Sequence, residues 1–228
     1  MKRTVLTIVI LLGFIVAFGQ TADSTYSVST DFNHIVFNTV NDPNSDYYYP
    51  KLEQKVKNNM TELTTTECYY LYYGRLFKNE HKGLPFLASN ERMDFDKALA
   101  KNNCKKIISV GVPLLENNPV DLTVLLHTCR CMKDKKDERW EEYNTLFTKL
   151  LDAIFSEGTG QSPETAIKVV DIEDEHILKG VLGFLGGTEG LYFNENLPGR
   201  AFNVWSLDGQ KLYFEELFFE DIEGMKLK

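Results

Sequence analysis

A chain of 228 residues with 33 acidic and 25 basic side chains carries a formal charge of −8 and is 43% hydrophobic and 12% aromatic. That length and apolar content suffice for one large or two small globular domains held together by burial. The acidity leaves no basic footprint for nucleic acid and disfavours adsorption to anionic membrane surfaces.

The first residues have the three parts of a secretory signal peptide. Lys2 and Arg3 are followed by an apolar run from Val5 to Phe18 and a close at Ala17-Phe18-Gly19. The run is too short for a membrane span of about 20 residues. Cleavage after Gly19 removes two basic residues and leaves 209, with a charge of −10. The first cysteine is Cys68, far from that junction, so a lipid anchor is not expected. The expectation is a soluble exported protein, periplasmic or extracellular, with no membrane span once the peptide is removed.

Residues 20–45 are polar and read as an extended lead-in with one strand at His34–Phe37. Residues 46–156 read as a helical half. Pro50 opens a short helix over 51–58. Thr64-Thr65-Thr66-Glu67 is a capping box, in which hydroxyl and carboxylate satisfy the free N–H groups of a new helix. That helix carries Cys68-Tyr69-Tyr70-Leu71-Tyr72-Tyr73-Gly74, and its glycine admits a close neighbour. After an irregular stretch over 78–93, a helix starts near Asp94 and breaks at Asn102-Asn103. The next is kinked at Pro113 and ends at Asn117-Asn118-Pro119. Leu122, Leu125, Leu126, Cys129 and Met132 mark a further helix. Tyr143, Leu146, Phe147, Leu150 and Ile154 mark the last and most amphipathic one. Short turns make such neighbours antiparallel, and Val120–Phe155 reads like one tetratricopeptide-type helix pair without a second repeat.

Residues 157–228 read as a small antiparallel sheet. Ser162-Pro163-Glu164 is a capped turn, and strands are predicted at Ile167–Ile172, Leu191–Phe193, Ala201–Trp205 and Lys211–Phe214. Asp208-Gly209 makes a hairpin turn, whereas Glu175–Phe184 stays open between strand and helix. The fold class is α+β, helices first and sheet after, expected to form one unit. Residues 20–156 hold 17 basic and 19 acidic side chains, and residues 157–225 hold 4 and 14, so the acidity belongs to the sheet half.

Tyr48-Tyr49-Pro50-Lys51-Leu52, Leu63-Thr64-x-x-Glu67, Leu71-Tyr72-Tyr73-Gly74, Ser156-Glu157-Gly158-Thr159 and Val170-Asp171-x-x-Asp174-Glu175-His176 together resemble a secreted bacterial family known only as a domain of unknown function. Glu157 stands where that pattern has Asp, and His176 where it has Tyr. The resemblance implies export and a single unit. It carries no activity, cofactor or catalytic residue.

Candidate sites are few. Asp171, Glu173, Asp174 and His176, with Glu175 among them, offer the hard oxygens and imidazole that suit Ca²⁺. A calcium loop interleaves its acids with glycine, which this run does not, and a solvated turn between strands is the preferred reading. No cofactor is otherwise expected. Tyr48, Tyr49, Tyr69, Tyr72 and Tyr73 form an aromatic set suited to a peptide or sugar, although core packing, which explains the helical spacing, is the preferred reading. Cys104 and Cys129 fall at similar heights on adjacent helices, which makes them a candidate disulfide, with two buried thiols as the alternative. Cys129-Arg130-Cys131 lacks zinc spacing, no glycine motif is a nucleophile elbow or phosphate loop, and His34, His81 and His127 have no triad partners nearby. No catalytic residue is assigned. The leading expectation is an exported non-enzymatic interaction module binding a protein or peptide through a groove in its helical half. The second is a metal-dependent hydrolase or calcium-stabilised binder centred on 171–176.

Overall fold

The computed structural model describes residues 32–77, 90–193 and 201–217. The signal peptide, the lead-in as far as residue 31, His81 and residues 78–89 of the stretch read as irregular lie outside them. Residues 90–93 of that stretch are helical, so the helix expected near Asp94 starts at Asn90. Eight α-helices and four strands occur among the described residues. The helices are α1 (Phe32–Asn41), α2 (Tyr49–Asn59), α3 (Thr65–Gly74), α4 (Asn90–Ala100), α5 (Cys104–Asn117), α6 (Leu122–Lys135), α7 (Trp140–Phe155) and α8 (Ile172–Val181). The strands are β1 (Ile167–Val169), β2 (Thr188–Phe193), β3 (Ala201–Leu207) and β4 (Gln210–Glu216). The class is α+β, with the sheet C-terminal to most of the helices. No described helix is long and apolar enough to cross a membrane.

Local chemistry accounts for most of the helix boundaries. Thr64 Oγ1 accepts the Glu67 N–H at 3.1 Å, and Glu67 Oε2 accepts the Thr64 N–H at 2.7 Å, so the capping box at α3 is complete. The Asn103 and Asp121 side chains cap α5 and α6, accepting the N–H groups of Lys106 and Val124. Pro113 lies inside α5 without ending it, and the helix stops at Asn117. The stripe on α7 is buried at Tyr143, Leu146, Phe147, Leu150 and Ile154. α5 packs on α6, α6 on α7, and α3 on α7. Gly74 lets the Tyr49 ring of α2 and Val40 of α1 approach so closely that an added Cβ would stand 2.8 Å from the ring.

The lead-in departs from expectation. Residues 34–37 are helical, not a strand, because Val36 and Val40 are the buried pair, four residues apart on one helix face, and Phe37 packs edge-on to Phe77 at 5.3 Å. The sheet, with order β1-β4-β3-β2, is mixed: β2, β3 and β4 are antiparallel, whereas β1 runs parallel to β4. The chain leaves β1 through α8 and returns only after a hairpin, the kind of crossover that a parallel pair requires. Asp208 and Gly209 turn the β3–β4 hairpin with φ of 51° and 80°. The strand expected over Ile167–Ile172 ends at Val169, and helix α8, capped by Asp171, takes up Ile172 and most of the undecided Glu175–Phe184 stretch, ending at Val181.

The disulfide expectation is corrected. Cys104 bonds to Cys131, with Cα atoms 5.0 Å apart, and Cys129 is a buried free thiol. Facing, not height, decides between them. Two residues along a helix rotate a side chain by about 200°, so Cys129 and Cys131 point oppositely from α6. Cys129 lies beside Tyr143 of α7, leaving Cys131 to meet the start of α5. Closing a loop with a sequence separation of 27 stabilises the fold by about 3.5 kcal/mol in the chain-entropy account. Burial pushes the free thiols of Cys68 and Cys129 up to about 12, so both stay protonated.

Two outcomes are expected. Peptide mapping without reduction should link Cys104 to Cys131, and iodoacetamide should label Cys68 and Cys129 only after unfolding. At the α5–α6 crossing, a Cβ added to Gly111 would lie 2.1 Å from Thr128 Oγ1, a buried hydroxyl that makes no hydrogen bond. Gly111→Ala should therefore cost about 1–3 kcal/mol. Adding Thr128→Ala, which removes the clashing oxygen, should recover most of that loss in urea denaturation.

Candidate functional site

The tyrosines of α3 face inward. Tyr72 and Tyr73 have no exposed surface, Tyr49 is buried, and Tyr48 and Tyr69 are half-buried. Tyr72 Oη donates to Asp174 Oδ2 at 2.8 Å and accepts the Val170 N–H at 3.3 Å. Tyr73 Oη donates to the Lys168 carbonyl at 3.3 Å. Burial holds both phenols well above their ordinary range, with the Asp174 charge adding to the rise at Tyr72 and the Glu157 charge, then the Asp174 charge, adding to it at Tyr73. Tyr69 stands edge-on to Tyr73 at 4.9 Å, and Tyr47 stacks on Tyr70 at 4.6 Å. This is a core post joining the helices to β1 and α8. Tyr72 and Tyr73 have nothing to present to a ligand.

The acidic run is the first turn of α8 and not a solvated turn between strands. Asp171 Oδ1 accepts the Glu173 N–H at 3.0 Å, and its Oδ2 lies 3.6 Å from Arg75. Glu173 pairs with Arg92, which also binds Asp121 and Asp96 and so ties α4, α6 and α8 together. Asp174 points into the core at Tyr72. Burial pushes its carboxyl well above the ordinary range, against the pull of Arg75. Glu175, also buried, accepts from Asn203 Nδ2 at 2.8 Å and Trp205 Nε1 at 3.2 Å, fastening α8 to β3. His176 is exposed and edge-on to Trp205 at 5.3 Å, and Lys179 Nζ sits 3.2 Å from the Trp205 ring centroid. Helical spacing sends successive acids to different partners. Among the described residues, no three His, Cys, Asp or Glu side chains gather as a metal's donors. Sequence reading missed Arg92 and Glu216. Burial, followed by the Glu175 and Asp171 charges, pushes the Glu216 carboxyl up to about 7. Both residues come from elements distant along the chain.

What the structure leaves uncovered is β2. A helix about 10 Å across spans roughly two strands spaced about 4.8 Å apart. α8 packs on β1 and β4 and reaches Asn203 and Trp205 of β3 through Glu175, and β1 is also buried beside α7. By register, Glu189 is paired with Trp205, Leu191 with Asn203 and Phe193 with Ala201, so these three side chains continue the covered face outward. All six residues of β2 are exposed, Leu191 at 62% and Phe193 at 68%, and Leu185 in the preceding connection reaches 77%. Among the described residues β2 is also the terminal strand, paired only with β3. Leu191-Tyr192-Phe193 reads as a strand in sequence, but no local signal shows that it is an edge.

A family model described as a domain of unknown function (DUF4919) matches residues 34–220, and the chain belongs to that family. No curated protein and no solved structure matches.

Two substitutions test these energetics. Tyr72→Phe removes the hydrogen bond to Asp174 and orphans the Val170 amide, so it should destabilise by about 1–3 kcal/mol in chemical denaturation. Glu216 has a raised folded-state value, so its contribution to stability is full below about 4.5 and is lost as pH rises through about 7. Glu216→Gln, neutral throughout, should match the wild type near pH 4 and be more stable at pH 8. Parallel stability curves across that range would contradict the assignment.

Proposed function

We propose that this DUF4919 protein is an exported, non-enzymatic interaction module that binds another protein through β2 and the apolar side chains around it. The observation that carries the reading is the six-residue outer strand, exposed along its whole length with Leu191 and Phe193 on one face. Exposed large apolar groups on a folded surface mark interaction sites when they cluster on one element. Export is supported by Lys2, Arg3 and the apolar run Val5–Phe18. The Cys104–Cys131 bond supports an oxidising compartment, periplasmic or extracellular. The helical half serves as a rigid support: its tyrosines, Arg92 and the acids of α8 are spent on internal contacts.

A photo-reactive residue placed at position 191 in the producing cell should cross-link a partner that the same residue at exposed Lys105 does not. Leu191→Lys with Phe193→Lys should abolish partner binding while changing stability by less than about 0.5 kcal/mol, as surface substitutions do. The exported protein should begin at Gln20 by mass spectrometry. Identical cross-linking from positions 191 and 105 would remove the reading.

A further inference from the structure

Resting on the interaction reading above, we infer that β2 takes its partner by strand addition: an extended segment whose apolar side chains alternate and whose flanks carry Lys or Arg pairs along the free edge. An edge strand presents unpaired N–H and C=O groups on every second residue, which natural proteins usually blunt with lysine, proline, a bulge or a covering element. Thr188-Glu189-Gly190-Leu191-Tyr192-Phe193 contains no lysine or proline, pairs with β3 in unbroken register from Thr188–Ser206 to Phe193–Ala201, and is exposed throughout. The opposite edge is treated differently: β1 is buried, and the Lys168 carbonyl accepts the Tyr73 hydroxyl.

The two faces of β2 define what the added strand would meet. Leu191 and Phe193 supply one apolar surface, and Tyr192, lying 6.5 Å from Phe202 and 5.8 Å from Tyr213 by ring centroids, supplies the other. Side chains of an added strand alternate between these faces, so both registers of an alternating apolar segment find contact.

Charge selects the flanks. Residues 157–225 hold 14 acidic and 4 basic side chains. Glu189 stands on the strand itself, coupled to Glu175 beneath α8, and Asp171 and Glu216 lie beyond it. Among the described residues, Lys179 is seated over Trp205, Lys211 lies two strands away, and Arg75 is taken up by Asp171. A basic segment is therefore drawn to this edge, whereas a second copy of the chain would bring two acidic halves together.

The test uses the mature chain, residues 20–228, to select from a displayed library of random twelve-residue peptides. Enriched peptides should alternate apolar residues beside Lys or Arg, protect the amides of 188–193 from hydrogen exchange, and bind more weakly as salt rises. Methylating the peptide amides on alternate residues facing β2 should weaken binding at least tenfold, while methylating the intervening amides should spare it. Glu189→Lys should remove the preference for basic flanks without unfolding the protein. Enriched peptides indifferent to amide methylation, or protecting another element, would overturn strand addition. So would concentration-dependent dimers that protect 188–193, or stronger binding to a chain ending at 217, since a second copy or residues 218–228 would then be the occupant. A cross-linked partner at position 191 together with no enrichment would overturn strand addition alone and leave the interaction reading standing.

Discussion

The contact between Tyr72 and Asp174, 102 residues apart and both buried, is the constraint from which the remaining architecture follows. A buried carboxyl is costly unless it is hydrogen-bonded or held neutral. Here the phenol provides the bond, and burial raises the carboxyl well above its usual range. Around this point α3 grips the sheet layer with three nearby residues. Tyr72 holds Asp174 and the Val170 amide, Tyr73 holds the Lys168 carbonyl, and Arg75 lies beside Asp171. The sheet half thus depends on a helix laid down about a hundred residues earlier. The sheet buries an apolar face by packing against this helical layer, the kind of burial that strands need for stability.

The placement of α8 distributes the surface. Its N-terminal acids are taken up by Arg92, Tyr72, Asn203 and Trp205, which anchor it to α4, α6, α3 and β3. One helix covers about two strands, so a sheet four strands wide keeps an outer strand bare unless a second element crosses it. β2 is that strand. Groups that look chemically promising in sequence, the tyrosines and the clustered carboxylates, are consumed in building this arrangement. The most exposed large apolar residues among the described ones are the unremarkable Leu185, Leu191 and Phe193.

Much of the architecture was legible locally. The capping box at Thr64–Glu67, the cap at Ser162, the turn at Asp208-Gly209 and the stripe on α7 depend on residues a few positions apart, and each forms as read. The misreadings share a cause. His34–Phe37 looks like a strand until Val36 and Val40 find the core. The disulfide goes to Cys131 because the facing of α6 against both α5 and α7 decides it. β1 is parallel because of a crossover that no local pattern announces. At the candidate site, Asp171–His176 was visible as a cluster, but the partners that give its members their roles come from α3, α4 and β3.

The sequence by itself determined the class, the order of helices before sheet, most helix starts and stops, and the concentration of acid in the C-terminal half. These follow from short-range periodicity, capping and composition, which act within a turn or two of the chain. Only the tertiary structure decided which carboxylates are buried, which cysteine pairs with Cys104, and which strand is left at the edge. Those outcomes depend on the facing of elements that meet across tens of residues, and on a geometric limit, the width one helix can cover, that is not written in any local stretch of residues.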